Sequence, residues 1–238
     1  MAGEQRIRDV YIQYDKNGET PKYETPLAAG ADLFAAEDMV IRPFEKVAIP
    51  LGLKFAIPDN MELQIRARSG LSLRTNIKSL STQSILNTAR SGLSLRTNLK
   101  ISNSIGTIDA DSVSDISVIL ENNYNIANLP YEIANDISIL DDLKNNYTEV
   151  RLSDYLESKG HDISSYEDEG KKAYKKLLKT YIYLDKNGNP YGTIYIKKGN
   201  RIAQMVLAKY YKANFIKTDD VSKLKSVNRG GGFGHTGF

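Results

Sequence analysis

The chain has 238 residues, 41% of them hydrophobic and 26% charged, enough for one large globular domain or a smaller one carrying insertions. Lys and Arg total 32 against 29 Asp and Glu, a formal charge of +3; that is too small to imply a nucleic-acid surface, so an anionic ligand must be held locally. There is no cysteine, which excludes disulfides and thiolate metal sites and suits a reducing cytoplasm, while the first ten residues lack a signal-peptide core and no apolar run reaches membrane length, so neither secretion nor membrane insertion is expected.

In chain order, residues 5–66 read as β-structure. Asn17-Gly18 is a two-residue hairpin signal, and residues 40–43, 46–50, 53–57 and 62–66 are short strand candidates separated by Gly, Pro and Asp-Asn turns. Such spacing favours a barrel or sandwich over a βαβ fold. The decamer ARSGLSLRTN then occurs twice, at 67–76 and 89–98, with residues 77–88 as a polar spacer; two copies make a duplication, not a solenoid. Between residues 122 and about 179 the texture changes. Residues 132–143 and 152–156 carry apolar positions at three- and four-residue spacing, and 169–178 is a Lys-rich helical pattern. Residues 181–184, the Asn187-Gly188 turn, 193–196 and 202–208 return to hairpin and strand patterns. The last ten residues hold Gly at five positions and read as a mobile tail. The expected organisation is a mainly β scaffold over 1–121 and 181–228, a small helical insertion over 122–180, and a Gly-rich tail over 229–238.

Five segments could carry chemistry, each with a plainer alternative. Asp32 lies in the small-residue strand of residues 28–33, where it is a candidate ligand or simply a buried turn residue. Arg-Ser-Gly-Leu-Ser-Leu, at Arg68, Ser69, Gly70 and again at Arg90, Ser91, Gly92, reads as a helix start; a Ser cap preceded by Arg is an anion site or an ordinary cap. Residues 103–111 set Asn103 and the carboxylates Asp109 and Asp111 around Gly106 and Ile108. An Asn at a hairpin edge can meet a pyrimidine edge and a fixed Asp can take a proton from water, though a polar turn has the same composition. Arg201 and Gln204 open a strand. In the tail, Arg229, Phe233, Gly234, His235 and Thr236 sit in a Gly matrix able to approach phosphates or to remain disordered.

The order of these five segments resembles the five motifs of the homotrimeric dUTPase family, phage or bacterial type, over roughly residues 5–120 and 190–237. The likeness extends to the intervening stretches at 23–30 and 49–54. It implies a dUTPase-like distorted jelly-roll barrel (β-clip) assembled as a homotrimer with shared active sites, hydrolysing dUTP to dUMP and pyrophosphate. Asp109 would orient the attacking water as general base. Asn103, with Gly106, Ile108 and Asp111 around it, would hold the uracil end in a β-hairpin. The second-motif Arg, Ser and Gly and Gln204 would hold phosphate oxygens. Arg229, Gly234, His235 and Thr236 would close on the terminal phosphates, with Phe233 covering the base. Mg²⁺ would be chelated mainly by the triphosphate, Asp32 reaching it through water.

Spacing bears on which copy of the second motif is used. Arg90 precedes Asn103 by thirteen positions, as in the family, and Arg68 by thirty-five, which favours the second copy and leaves residues 67–88 looped out; residues 61–66 lead into the first copy like a normal strand, which would loop out 77–98. The family's aromatic after the third-motif Asp is here Ser112, followed by Val113, Ser114 and Asp115, so weaker sugar packing and poorer rejection of UTP are expected. Asn200 replaces a common acid, and the tail is one residue short after Arg229. Competing readings are a dUTPase-fold binding module with a protein partner at residues 122–180, and dCTP deaminase, which needs a positioned Glu that has no match here.

Overall fold

In the computed structural model, residues 7–67, 98–166 and 172–224 are described. The strands are β1 (Tyr11–Tyr14), β2 (Ala31–Phe34), β3 (Met39–Ile41), β4 (Lys46–Pro50), β5 (Leu53–Ala56), β6 (Met61–Arg66), β7 (Leu99–Ile101), β8 (Gly106–Ile108), β9 (Ser117–Asn122), β10 (Tyr147–Arg151), β11 (Tyr181–Asp185), β12 (Ile194–Ile196) and β13 (Arg201–Lys209). A four-stranded sheet runs β2-β13-β6-β8 and a three-stranded one β4-β9-β7, with β1–β5 and β3–β12 as separate pairs. All pairings are antiparallel. The mainly β architecture expected from the spacing of the strand candidates is present.

Alternation decides which side faces inward. On β6, Leu63 and Ile65 are buried while Glu62, Gln64 and Arg66 stay partly exposed. β2 is buried at all four positions. Leu33, Ile49, Leu51, Leu63, Leu120 and Ile202 meet in one aliphatic core drawn from both larger sheets.

The first Asn-Gly differs from its sequence reading. Asp15 Oδ1 accepts from Asn17 N (2.7 Å) and Gly18 N (3.0 Å), so a turn forms. The chain beyond it makes no strand beside β1; β1 pairs with β5 instead, and Asp15 N donates to Gly52 O. A long-range partner has displaced the local hairpin. At Asn187-Gly188 the chain does double back: Gly188 N donates to Asp185 O (2.9 Å) and Tyr191 N to Tyr183 O (2.7 Å).

The insertion holds helices α1 (Leu129–Asn135), α2 (Ser138–Asn146), α3 (Leu152–Ser158) and α4 (Lys172–Leu178). The helical pattern expected across 132–143 is broken at Asp136, whose extended backbone caps α1 and whose Oδ1 accepts from Ser138 N and Oγ. The insertion is also not purely helical. β10 pairs with β11 along its whole length, so β11 finds its sheet partner inside the insertion. Tyr124, Leu129, Ile139, Leu143 and Tyr191 form a second buried cluster there. No helix among the described residues is long and apolar enough to cross a membrane.

Candidate active site

β7 and β8 are joined by residues 102–105, yet they do not form a hairpin with each other: β7 pairs with β9 and β8 with β6. The expected hairpin is therefore a turn spanning two sheets. Ser104 N donates to Ile101 O (3.3 Å), and Ser104 takes a positive φ of 60°, a left-handed conformation that reverses the chain at some cost for a residue with a Cβ. At the end of this turn the lack of a side chain on Gly106 matters, since a Cβ there would lie 3.2 Å from Asn103 Nδ2 and 3.6 Å from Ile65 Cβ. Glycine thus leaves the amide of Asn103 room against the strand.

A pocket of about 190 Å³ opens beside this amide. Asn103, Gly106 and Ile108 line it, as does Ser112. So do Ile65, Ile101, Thr107, Ser114, Asp115 and the start of β9. Ile65 could not be found from the sequence, because it enters only through its register opposite Gly106. Asp109 and Asp111 are exposed and are not part of this lining. Asp109 directly follows β8, and its carbonyl accepts from Ser112 N (3.0 Å), a turn that carries the chain from Asp109 into the pocket wall.

A second group forms across β2, β13 and β6. Gln204 stands opposite Asp32 on one side and Arg66 on the other. Gln204 Nε2 donates to Ala67 O (3.1 Å), fixing the point where the chain leaves β6 for the first copy of the repeated decamer. Gly30 faces this amide, with space for a Cβ only 2.7 Å from Gln204 Oε1. Arg66 Nε donates to Gln64 Oε1 (2.9 Å). Asp32, its side chain 5% exposed, accepts from Arg201 Nη1 at 3.1 Å, and the same nitrogen donates to Glu24 Oε1 at 2.6 Å. The carboxylate expected near Mg²⁺ thus has a guanidinium beside it. Among the described residues no group of three or more His, Cys, Asp or Glu could cage a metal.

The Gln204–Arg66 row lies near the Gly106 end of β8, and Asp109 follows its other end. Ile65 pairs with Gly106 and Leu63 with Ile108, placing Asp109 four residues, roughly 13 Å, along the strand direction from the Gln204–Arg66 row at ~3.3 Å per residue. One chain does not bring Asp109 and Gln204 together. Arg68, Ser69, Gly70, Arg90, Ser91, Gly92, Arg229, Phe233, Gly234, His235 and Thr236 lie outside the described residues.

A family model described as dUTPase matches residues 16–86 and 187–237. The deoxyuridine 5'-triphosphate nucleotidohydrolase of Chlamydia pneumoniae is 40% identical over 115 residues, 48% of this chain and 64% of that protein. The protein of the same name from Treponema denticola is 31% identical over 129 residues, 53% of this chain and 72% of that one. The chain therefore spans less than two thirds, 64%, of the first relative's length. Among solved structures, a Staphylococcus bacteriophage 80alpha dUTPase mutant with dUpNHpp aligns with TM-score 0.59 at 19% identity, covering 98% of this chain and all of that one. The dUTPase of phage phi11 of S. aureus, solved to visualise its species-specific insert, aligns with TM-score 0.54 at 18% identity over 90% of this chain and 97% of that one. At these identities the structures speak to fold alone.

Proposed function

The chain belongs to the dUTPase family, and from that premise we propose that it hydrolyses dUTP to dUMP and pyrophosphate. The observation that carries the reading is the Asn103 amide, given room by Gly106 over a pocket whose wall is turn-linked to Asp109. An amide offers both donor and acceptor to a pyrimidine edge. A carboxylate near the far end of the bound nucleotide can take a proton from water. That water attacks the α-phosphorus; the bond from the α-phosphorus to the bridging oxygen breaks, and pyrophosphate leaves with that oxygen.

Gln204 and the Arg-Ser-Gly of the second motif, Arg90, Ser91 and Gly92 or Arg68, Ser69 and Gly70, would hold phosphate oxygens, with the tail from Arg229 to Thr236 closing over them. Mg²⁺ would arrive as part of the substrate, bound by the triphosphate and screening its charge, with Asp32 reaching it through water; among the described residues no carboxylate cluster forms a protein cage. The separation of Asp109 from Gln204 within one chain supports a site completed by other copies, as in a homotrimer. The cysteine-free composition supports a cytoplasmic setting.

The test is pyrophosphate release from dUTP with Mg²⁺, run beside Asp109→Asn. A fall of roughly 10²- to 10⁴-fold with an unchanged fold is expected; an undiminished rate rules out Asp109 as the base. A second reading, a surface for a protein partner, is favoured by Tyr131 and Ile137, 74% and 72% exposed on the insertion. Removing the insertion with full retention of dUTP hydrolysis would support that separate role.

A further inference from the structure

We propose that this pocket accepts a ribose as well as a deoxyribose, so that UTP is a substrate alongside dUTP; the inference rests on the reading of the site given above. If the base is held at Asn103 and the phosphorus is attacked beside Asp109, the sugar that links them must pass the wall between. That wall is built by Ser112, Ser114 and Asp115. Ser112 is partly buried and its position is set by the hydrogen bond from its amide to Asp109 O. Among the described residues, none lining the pocket is aromatic.

A site rejects a 2'-hydroxyl in one of two ways: a bulky group fills the space, or an apolar face leaves the hydroxyl unpaired when water is expelled. Aliphatic side chains such as Ile65, Ile101 and Val118 line the rest of the pocket, but the stretch from Ser112 to Asp115 itself presents neither device. Two serine hydroxyls and a carboxylate line it instead. Asp115 is held at the rim by Lys54, its Oδ2 3.4 Å from Nζ, with its side chain 75% exposed, and a carboxylate accepting from a ribose 2'-hydroxyl is a recurrent mode of nucleotide recognition. The chemistry is the same for both sugars. Water forms the new bond to the α-phosphorus, its proton passes to Asp109 and then to solvent, and UTP yields UMP and pyrophosphate.

The experiment measures kcat/KM for dUTP and UTP with Mg²⁺ on the full chain, on Ser112→Phe and on Asp115→Ala. The parent should use the two nucleotides within about tenfold of each other, Ser112→Phe should raise the dUTP/UTP ratio at least about tenfold, and Asp115→Ala should lower UTP turnover more than dUTP turnover. A parent that prefers dUTP more than about a hundredfold overturns the inference and leaves dUTP hydrolysis standing. So does a ratio unmoved by both substitutions. If neither nucleotide is hydrolysed, UTP turnover falls with the hydrolytic reading, and equilibrium dialysis with dUMP and UMP tests the acceptance of the ribose alone: equal binding supports it, and binding of dUMP alone, or of neither, overturns it.

Discussion

The barrel and the insertion solve the problem of burial differently. The barrel core is almost wholly aliphatic, with Phe55 as its aromatic among the described residues. The insertion buries Tyr124, Leu129, Ile139 and Leu143 against Tyr191 of the returning chain, with Tyr147 and Tyr183 packed against them. Tyr191 stands edge-on to Tyr124 at 5.7 Å and to Tyr147 at 5.0 Å. These rings bring polar atoms inside, so the cluster needs partners that the barrel core does not. Tyr124 finds one in Glu132 (3.1 Å). Burial, reinforced by nearby carboxylates, pushes the hydroxyls of Tyr124, Tyr147 and Tyr191 well above the usual tyrosine range. The difference teaches that a small core on a large one can be closed with aromatics, at the expense of a polar seam that is only partly satisfied, since the buried Tyr191 hydroxyl has no hydrogen-bond partner among the described residues.

Asn122 is the satisfied part of that seam. Fully buried at the end of β9, it donates to Ile41 O (3.0 Å) in the barrel and to Gly192 O (2.8 Å), and accepts from Tyr124 N (3.0 Å). Asn122→Ala orphans three buried backbone groups, and a loss of about 3–5 kcal/mol is expected. If the two cores depend on this joint, thermal unfolding should shift down by roughly 6–15 °C in one transition; an unshifted barrel transition with a lost tyrosine near-ultraviolet signal would mean that the cores are independent. Gly106→Ala probes the other region. Its Cβ would push the Asn103 amide, and kcat/KM for dUTP should fall roughly 10- to 100-fold with melting nearly unchanged; an equal loss of stability would recast Gly106 as a folding residue.

The smallest effect sharpens the contrast at Glu132. Burial raises its pKa, against the opposing hydrogen bond from Tyr124. A raised folded-state value means that the native chain binds the extra proton, so stability is present below the ordinary glutamate range and is lost as pH rises through the raised value. Glu132→Gln should therefore match the parent in acid and be slightly more stable at neutral pH, by less than about 1 kcal/mol given its solvent screening. Melting curves from pH 4 to 8 check this, and a variant that is less stable at pH 7 contradicts it.

Local chemistry was enough for much of the molecule. Strand β4 lies where alternating residues and the flanking Pro and Gly place it, over Lys46–Pro50. The Asn187-Gly188 turn needs nothing beyond its own Asp185, whose Oδ1 accepts from Asn187 N and Asn189 N. The identities of Asn103, Gly106, Ile108 and Ser112 as neighbours of one pocket were legible because they lie within ten residues of each other. β10 was missed although Thr148 and Val150 give it β-branched alternation, since its partner β11 is some thirty residues away and a lone amphipathic pentamer between helices gives no local sign of which it will be.

By itself, then, the order of residues determined the strand periodicity, the turn chemistry and the set of groups available to a nucleotide. Only the tertiary structure decided that Asn17-Gly18 would be a turn without a hairpin, that β7 and β8 would part into different sheets, that Asp32 would meet Arg201, and that Asp109 would stand at the opposite end of β8 from Gln204. The reason is physical: side-chain period and turn propensity act over a few residues, whereas register, partner strand and ion pairing depend on which distant segments bury their apolar faces together.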